Sequence, residues 1–535
     1  MTQQNRPPEP SQGLQKRAVV SSFIFRFAER HEKPAVALFK RSDKVRTYPH
    51  RLAPISGSID RGEDPVAAAW RELSEETSLT ASAVELWRKG VPYSFSDSTA
   101  GREWTIYPFA FRLRDPSAGG QGDDSAFKID WEHDEWQWHD PDAVTDEEGF
   151  GGVPRLKESL RRVWFEGEMK PRAANVLAAG LDRLQRDHES GARELTAIAV
   201  GIFRDVVMHM RDGMDAKWWE SIRMAAWHLW KNGRESMGAG ILNTLLSVLG
   251  ELEEFIGLET LGTDLKWDRT LANLDYHLVI RQSMAARIKD SLASYIQSQF
   301  LTPGRKRESL TVLTLSASST IRDSILDAYA ALDIQTLDLR ILESRPLFEG
   351  VSIASSVHSN FTSQFQSSTN KHLKIGIYTD ASAAIASANA DVVLLGADRI
   401  SSTRGVSNKT GSLPAILSAK HVSPDVKVLV VSETEKIKEP CVGKNDVEEN
   451  NPLEVVGTWG NDAVKGRKLL EESMTGSREE TNANVAVEVK NVYFEWVPLS
   501  LVDGFVCEEG FLGEDTIRQR SEELGEKIEE FFGSL

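Results

Sequence analysis

Six residues between positions 57 and 76 have types and spacing that suit metal-assisted hydrolysis. They are a glycine, an arginine and four glutamates: Gly57, Glu63, Arg71, Glu72, Glu75 and Glu76. On a helix, Glu72, Glu75 and Glu76 stand at i, i+3 and i+4, which puts three carboxylates about 5–6 Å apart. Like charges that close repel each other unless a cation lies among them. Mg²⁺ or Mn²⁺ prefers oxygen ligands, bridges to phosphate groups and lowers the pKa of a bound water.

The alternative interpretation of these glutamates is a solvated acidic helix face, which is the usual role of a charge run. The register of Gly57, Glu63 and Arg71 with the carboxylates favours the metal site. The order is a glycine, five residues, Glu, seven residues and then Arg-Glu-Leu-x-Glu-Glu. This pattern resembles the box of the Nudix pyrophosphohydrolases, a family that hydrolyses nucleoside diphosphates linked to another moiety.

The Nudix resemblance implies roles for the residues of the box. Glu72, Glu75 and Glu76 would bind Mg²⁺ or Mn²⁺ and carry catalysis, and the Gly57 backbone would help to hold the ion. Arg71 would also belong to the catalytic residues, and together with Glu63 it would brace the loop against the helix. The family usually has glycine where this chain has Ser78. That position ends the helix in left-handed geometry, so serine costs about 1 kcal/mol there and removes no ligand.

A further acid from a later loop usually serves such domains, and the candidates are Glu132, Asp134 and Glu135. A solvated acidic turn is the alternative interpretation of these three residues. The neighbouring His133 and His139 are expected to be incidental.

A second set of residues suited to chemistry follows the apolar run DVVLLGA at 391–397. Asp398 comes just after this run, which has the pattern of a buried parallel strand, and open α/β sheets bind ligands at that end. Residues 405–411 then lead to a helix that begins near Ser412. Its free N–H groups and the Lys409 side chain would suit a phosphate. The alternative for Asp398 is a strand-end cap or an ion pair with Arg399.

Residues 185–535 resemble one family over nearly their whole length, most firmly in GADRISSTRGVSNKTGSLPAILSAKH at 396–421. This family joins ribose-1,5-bisphosphate isomerase, methylthioribose-1-phosphate isomerase and the α/β/δ regulatory subunits of translation initiation factor 2B. The resemblance implies a homodimer or a larger homo-oligomer. It implies a sugar-phosphate or nucleotide site formed by Gly191, Ala192, Arg234, Arg345, Asn408 and Lys409. Asp398 and Ser316 would stand at the catalytic positions.

Ser316 is the departure that matters for activity. The isomerases have a cysteine after an apolar strand at this point, whereas the chain reads LTLSAS at 313–318. A cysteine thiol titrates near pH 8.5, but a serine hydroxyl needs an activating base, and no histidine adjoins it in the sequence. Isomerase chemistry is therefore in doubt, while the sugar-phosphate site can persist. The initiation-factor subunits also lack the cysteine.

The elements that must position these residues define an α/β protein. Apolar, β-branched runs predict strands at 17–27, 35–41 and 102–112, and the run from Asp64 to Glu76 predicts a helix with Pro65 in its first turn. Helical spacing dominates 172–300. Later apolar runs alternate with helices and predict a parallel sheet from 310–315, 373–378, 391–397, 426–432 and 493–498. Polar inserts at 358–372 and 474–484 are expected to be loops.

The expected domains follow from these elements. They are a disordered tail (1–16), a Nudix α/β/α sandwich (17–170), a helical subdomain (171–304) and a Rossmann-like sugar-phosphate domain (305–535). We place the boundary near 170 because a helix is expected to end at Lys170-Pro171.

Bulk composition excludes several classes of protein. The net charge of −17 argues against direct, non-specific nucleic-acid binding. No apolar run reaches the ~18 residues that span a bilayer. The two cysteines, Cys441 and Cys507, form no paired motif, so we expect a cytoplasmic protein without a disulfide framework.

Three functional interpretations remain open. Both halves can be enzymes, with the second an active sugar-phosphate isomerase. Alternatively, the Nudix half is the enzyme, favouring an ADP-ribose-like substrate, and the second half binds a sugar phosphate or nucleotide and regulates or assembles the protein. Finally, the chain can be a regulatory subunit like those of translation initiation factor 2B, with a vestigial Nudix site. Intact Glu72, Glu75 and Glu76 disfavour the last, and Ser316 favours the second.

Overall fold

The structure is a computed structural model of the chain. It describes residues 14–27, 34–114, 120–187, 190, 192–211, 213–235, 238–258, 262–301, 307–365, 370–440, 450–460, 464–475 and 487–535. The chain divides into two compact units, the first formed by residues up to Asp275 with the last six residues, and the second by Tyr276–Glu529.

The first unit begins with a seven-stranded sheet and continues with helices. The strands are β1 (Gln15–Arg26), β2 (Ala35–Arg41), β3 (Leu52–Ala53), β4 (Val84–Lys89), β5 (Tyr93–Asp97), β6 (Arg102–Leu113) and β7 (His133–His139). The helices are α1 (Pro65–Thr77), α2 (Leu156–Arg161), α3 (Pro171–Arg186), α4 (Ala192–His209), α5 (Ala216–Asn232), α6 (Gly238–Gly257) and α7 (Thr263–Phe300), the last of which continues into the second unit.

The sheet is covered on both faces, as the sandwich prediction requires. Its order is β3-β2-β1-β6-β4, with β5 on β6 and β7 on β2, and β1 is parallel to β6. Alternate residues of a strand point to opposite faces. Accordingly, Val20 and Ile24 pack with Leu73 of α1, while Phe23 and Phe25 pack with Leu160 of α2. The helices α3 to α6 then pack mainly on one another.

The second unit is a doubly wound parallel sheet with a small antiparallel sheet beside it. The strands are β8 (Ser309–Leu315), β9 (Thr336–Leu342), β10 (His372–Tyr378), β11 (Val392–Leu395), β12 (Arg399–Ser401), β13 (Gly405–Lys409), β14 (Lys427–Val431), β15 (Ile437–Lys438), β16 (Phe494–Val497), β17 (Gly504–Cys507) and β18 (Gly510–Leu512). The helices are α8 (Ser319–Ala331), α9 (Glu349–Gln364), α10 (Ala383–Ala386), α11 (Ser412–Val422), α12 (Pro452–Gly457), α13 (Arg467–Thr475) and α14 (Glu514–Phe532).

The parallel sheet has the strand order β10-β9-β8-β11-β14-β17, with β18 antiparallel at one edge. In chain order this is 3-2-1-4-5-6, the Rossmann arrangement, which reverses between β8 and β11. Buried apolar residues fill both faces, as expected for a parallel sheet covered by helices. The predicted fold class, an N-terminal sheet domain followed by a helical region and a Rossmann-like domain, is confirmed.

Four local predictions differ from the structure. Pro171 starts helix α3 instead of ending a helix, because proline at the first helical position sacrifices no hydrogen bond. Part of the insert at 358–372 belongs to α9, which buries Val357 and exposes the polar side chains that resembled a loop. The run at 493–498 forms β16, which pairs antiparallel with β13 outside the parallel sheet. Ten strands were not predicted, namely β3, β4, β5, β7, β9, β12, β13, β15, β17 and β18.

Some expectations fall on residues outside the described ranges. Residues 1–13 of the predicted tail and 476–484 of the second insert lie there, and β1 starts at Gln15, two residues before the predicted strand. Of the helices that the structure describes, none combines the length and the apolar character needed to cross a bilayer.

Candidate functional site

Helix α1 holds the box residues in place from its buried side. Asp64 caps the helix by accepting hydrogen bonds from the backbone N–H groups of Val66 (2.8 Å) and Ala67 (3.2 Å). The opposite end closes at Ser78, which adopts φ 59°, in the left-handed region that the sequence predicted for this position. Leu73 is fully buried in the core below.

Arg71 is the organising cation of the loop before α1. Its Nε and Nη2 lie 2.9 Å from the two carboxylate oxygens of Glu63, and Nη2 also donates to the Ser58 backbone oxygen at 3.0 Å. The Arg71 hydrogen bonds, with one from the Asp60 N–H, lower the pKa of Glu63 to about 2. These are the bracing contacts that the Nudix resemblance implies.

Glu72 faces the loop that carries Gly57. Its Oε1 accepts a 2.7 Å hydrogen bond from Arg71 Nη1, and its side chain is 13% exposed. A Cβ atom on Gly57 would overlap the Glu72 carboxylate, so this approach requires glycine. Burial raises the pKa of Glu72, and Arg71 offsets part of that rise.

Glu76 is the most unusual carboxylate of the helix. Its side chain is 4% exposed, and its Oε2 atom has no hydrogen-bond partner among the described residues, although His133 Nε2 lies 3.5 Å away. Burial, followed by the nearby negative charges of Glu132 and Glu72, raises the pKa of Glu76 to about 9. A buried carboxylate oxygen without a partner in the described part of the chain is suited to bind a cation.

The three helix carboxylates occupy different environments. Glu75 is 61% exposed and reaches Arg71 at 3.4 Å. In the part of the chain that the structure describes, no three His, Cys, Asp or Glu side chains converge as a metal cage. Arg71, which contacts Glu72 and Glu75, supplies the positive charge instead. The oxygen donors, the unpartnered Glu76 atom and the Gly57 cradle nevertheless fit a hard divalent ion.

A cavity of about 730 Å³ opens beside this group. It is lined on one side by Gly57, Glu72 and Glu132 and elsewhere by aromatic and basic side chains. These include Arg41, Lys44, Arg46, Tyr48, Tyr93, Phe95, Trp104 and Trp131. Its volume is in the usual range for a site that encloses a small molecule.

The three later-loop acids lie in different environments. Glu132 lines the cavity, whereas Glu135 forms an ion pair with Lys40 at 3.1 Å and Asp134 is exposed. The ring of His133, which the sequence suggested to be incidental, is buried beside Glu76, and burial lowers its pKa to about 4. Strand β7 pairs with β2 and places His133 beside Glu76 of α1, and that pairing has no local signal in the sequence.

The second predicted site lies at the point where the Rossmann sheet reverses. Ser316 follows β8 with φ 68°, and its N–H donates to Ser344 Oγ at 2.8 Å. Asp398 follows β11, the neighbour of β8, and its own N–H bonds the Ser407 oxygen at 2.9 Å. Burial raises the pKa of Asp398, and the positive charge of Lys436 partly offsets that rise. The sequence did not identify Lys436 as a residue of this site.

Asn408 and Lys409 lie on β13 and are buried. Asn408 donates to Ser412 Oγ at 2.9 Å. Lys409 Nζ lies 2.6 Å from a Glu349 carboxylate oxygen and 4.4 Å from the centre of the Tyr493 ring. The charge of Lys409 is therefore already neutralised within the protein.

The start of α11 also differs from the prediction of free N–H groups. Glu495 on β16 accepts hydrogen bonds from the N–H groups of Gly411 (2.7 Å) and Leu413 (3.0 Å). A carboxylate thus occupies the helix N-terminus where the sequence suggested a phosphate, since either anion is stabilised there. The sequence could not show this contact, because Glu495 is 84 residues from Gly411.

The remaining predicted residues belong to both units. The N–H of Arg345 donates to Asp380 at 2.8 Å, and its half-exposed guanidinium pairs with Glu343 at 2.7 Å. Arg234 belongs to the first unit, where it donates to the backbone oxygen of Asp187. Gly191 lies outside the described residues, and Ala192 is the first residue of α4.

Comparison with known families gives two separate matches. Residues 15–161 match the NUDIX domain, and residues 279–514 match the Initiation factor 2 subunit family. Over 107 residues the chain is 29% identical to an RNA pyrophosphohydrolase of Bartonella quintana (strain Toulouse). That alignment covers 18% of this chain, and the chain spans 60% of the length of this relative.

Several solved structures share low overall similarity with the chain. The tetrameric eIF2B-beta2-delta2 complex of C. thermophilum aligns with 13% identity and a TM-score of 0.43, covering 70% of this chain and 99% of the other. The 5-methylthioribose 1-phosphate isomerase of Pyrococcus horikoshii OT3 aligns with 15% identity and a TM-score of 0.40, covering 66% and 87%.

Both resemblances that the sequence indicates are confirmed by the family matches. The chain therefore joins a NUDIX domain to a region of the initiation factor 2 subunit family.

Proposed function

We propose that the chain is a pyrophosphohydrolase dependent on Mg²⁺ or Mn²⁺ that acts on a nucleoside diphosphate linked to another moiety. One observation carries the proposal. The buried, unpartnered carboxylate oxygen of Glu76 lies beside the charges of Glu72 and Glu132, and the last two line a cavity large enough for such a molecule.

The residues divide the chemistry in a simple way. A divalent ion at these carboxylates would polarise a phosphoryl group and make a bound water more acidic. Glu72, Glu75 and Glu76 would hold it, with Arg71 releasing Glu72 and Glu75 while it keeps its bidentate contact with Glu63. Arg41 in the cavity would neutralise substrate phosphate.

An ADP-ribose-like substrate is favoured within this class. Hydrolysis of ADP-ribose at its diphosphate releases a ribose phosphate, which is the kind of ligand that the second resemblance implies. A 5′-phosphorylated RNA end is the second candidate, supported by the name of the Bartonella quintana relative. The net charge of −17 opposes a long RNA-binding surface but not an RNA end in the cavity.

For the initiation-factor-like region we propose a regulatory or assembly role with a sugar phosphate or nucleotide as ligand. Support comes from Ser316 at the position of the isomerase cysteine and from the pairing of Lys409 with Glu349. The alternatives are an active isomerase, in which Asp398 would be the proton-transfer group, and a regulatory subunit with a vestigial hydrolase site.

The decisive variant is Glu76→Gln. Because the pKa of about 9 keeps Glu76 protonated at neutral pH without metal, the isosteric amide should fold normally. We expect it to lose Mn²⁺ binding in calorimetry and at least about 100-fold in hydrolysis of ADP-ribose, the upper cost of disturbing even the partners of a metal ligand. Glu135→Gln, on the ion pair with Lys40, is the matched control and should retain both properties.

Activity of Glu76→Gln equal to that of Glu135→Gln would overturn the assignment of the metal site. Hydrolysis of 5′-triphosphorylated RNA, but not of nucleoside diphosphate conjugates, would select the second candidate instead.

A further inference from the structure

The residues that line the cavity of the NUDIX domain lie on successive strands of the sheet and extend away from the carboxylates. Val19 of β1 bridges to Ser58 next to Gly57, and Val19 pairs on its other side with Ile106 of β6. Ile106 in turn pairs with Tyr93 of β5. Neighbouring strands are about 4.8 Å apart, so β5 lies about 14 Å from the glycine loop. The cavity therefore extends well beyond the phosphate chemistry.

The far part of the cavity is an aromatic wall formed by Tyr48, Phe95 and Trp104. Trp104 Nε1 donates to the Tyr48 hydroxyl at 3.1 Å, and that hydroxyl donates to Asp97 Oδ2 at 2.6 Å. Asp97 is buried and also accepts the N–H groups of Thr99 and Ala100. The polar atoms of Tyr48 and Trp104 are thus used internally, which fixes these two rings and leaves their faces for stacking, whereas Phe95 already stacks with Tyr93 at 6.1 Å between ring centroids.

Arg41 lies between the aromatic wall and the carboxylates. It ends β2, and its Nε donates to the Thr47 oxygen at 3.2 Å, one residue before Tyr48. Its positive charge acts on both sides, because it opposes the rise in pKa that burial causes at Tyr48 and at Glu132. A phosphate bound to Arg41 would therefore have the carboxylates on one side and the aromatic wall on the other.

We infer that the aromatic wall binds the base of a nucleotide and that Arg41 binds its diphosphate, so that the substrate enters with its base on β5 and β6. This deepens the proposed function, on which it rests. Every nucleobase offers a planar face to an aromatic ring, whereas recognition of one particular base needs edge contacts. The wall offers faces, so we expect little discrimination between adenine and guanine.

Binding to the metal-free full-length protein tests this inference without relying on turnover. Calorimetry with adenosine and ADP in EDTA would compare wild type, Trp104→Leu and Arg41→Gln. Trp104→Leu should weaken both ligands about 5- to 150-fold, the range that base–aromatic stacking supports. Arg41→Gln should weaken ADP by about tenfold or more and leave adenosine unchanged, because adenosine has no phosphate.

Two further variants separate stacking from folding defects. Trp138→Leu removes a tryptophan of β7 that is outside the cavity and should change neither affinity. Tyr48→Phe keeps the ring and should bind better than Tyr48→Leu. Unchanged ADP affinity in Trp104→Leu, or equal loss of adenosine and ADP in Arg41→Gln, would overturn the inference.

Failure of the inference can be told apart from failure of the proposed function. If wild type hydrolyses ADP-ribose with Mg²⁺ but the wall variants bind ADP normally, the base lies elsewhere and the hydrolase assignment stands. If ADP binds with the expected pattern but no conjugate is hydrolysed, the wall is correct and the hydrolase proposal fails.

Discussion

Arg71 places a positive charge beside Glu72 and Glu75, two of the carboxylates that would hold a divalent ion in the proposed enzyme. It holds Glu63 through two 2.9 Å contacts and also engages Glu72 and Glu75. The spacing of the box predicted these residues as a group, because i, i+3 and i+4 positions of a helix are neighbours. It could not predict that Glu76 alone is buried, which depends on how β7 packs beside α1.

Ser78 provides a test of backbone strain at the end of α1. It is a non-glycine residue at φ 59°, a conformation that glycine adopts more easily. We expect Ser78→Gly to stabilise the protein by about 0.5–1 kcal/mol in denaturant unfolding and to leave hydrolysis unchanged.

Ser74 is the matched control, since it is an exposed residue inside the same helix. Ser74→Gly should destabilise the protein by roughly 0.5 kcal/mol, because glycine is the poorer helix former there. Equal effects of the two substitutions would refute the strain at Ser78.

At the scale of elements, strand β4 is joined to helix α5 by one amide side chain. Asn232 Oδ1 accepts the Lys89 N–H at 2.7 Å, and its Nδ2 donates to the Lys89 oxygen at 2.8 Å. The same Nδ2 lies 2.7 Å from His228 Nδ1. Because an amide nitrogen can only donate, Nδ1 must accept, so His228 is neutral in the folded protein.

This contact predicts acid sensitivity of the first unit. Burial lowers the pKa of His228 well below 6.5 in the folded state, so below pH 6.5 only the unfolded state binds a proton there. Stability should fall as pH drops below about 6.5, by up to about 1.4 kcal/mol per pH unit.

Chemical unfolding of wild type and His228→Gln between pH 7.5 and 5 would measure this effect. The variant should lose that part of the pH dependence, whereas His50→Gln, at an exposed position, should keep it. Identical pH profiles for wild type and His228→Gln would contradict the neutral-histidine assignment.

In the second site, residues that are distant in sequence occupy the groups that the local motif suggested for phosphate binding. The pattern at 391–412 predicted strand β11, the position of Asp398 after it and the start of α11, but not the strands β12 and β13. Glu349 of α9 and Glu495 of β16 then neutralise Lys409 and cap α11, and no local pattern announces either contact. A sugar phosphate must displace at least the Glu349 carboxylate from Lys409.

We therefore expect Glu349→Gln to bind ribose 5-phosphate more tightly than wild type, by about tenfold or more, because Lys409 gains a free charge. Thermal unfolding of the full chain with increasing ribose 5-phosphate would show it. Glu308→Gln, an exposed acid before β8, is the control and should behave as wild type. Loss of binding in Glu349→Gln would assign that carboxylate to the ligand itself.

At the scale of the whole molecule, the sequence predicted which regions form sheets and which form helices better than it predicted the order of the strands within each sheet. Continuous apolar runs identified eight of the 18 strands in the described residues, and helical periodicity identified the region between the two sheets. Two of the missed strands, β9 and β17, show the limit. TLDLRIL at 336–342 interrupts its apolar run with charged residues, and β17 has only four residues. Strand order depends on pairing across many residues, which a linear pattern does not contain.

The resemblance to the initiation-factor family implies assembly, and we predict a two-fold homodimer or a larger assembly built from dimers. Closed two-fold symmetry is the commonest arrangement of homo-oligomers. Sedimentation velocity at micromolar concentration should give at least twice the chain mass of 59.5 kDa. A single monomer species over that range would refute this prediction.

The central claim is that the NUDIX half is an active, metal-dependent hydrolase. Phosphorus NMR of ADP-ribose with the full-length wild type and Mg²⁺ tests this claim directly. We predict that the diphosphate signals disappear, that AMP and ribose 5-phosphate appear and persist, and that EDTA abolishes the change. Absence of hydrolysis, for ADP-ribose and for a panel of other nucleoside diphosphate conjugates, with either Mg²⁺ or Mn²⁺, would contradict the account.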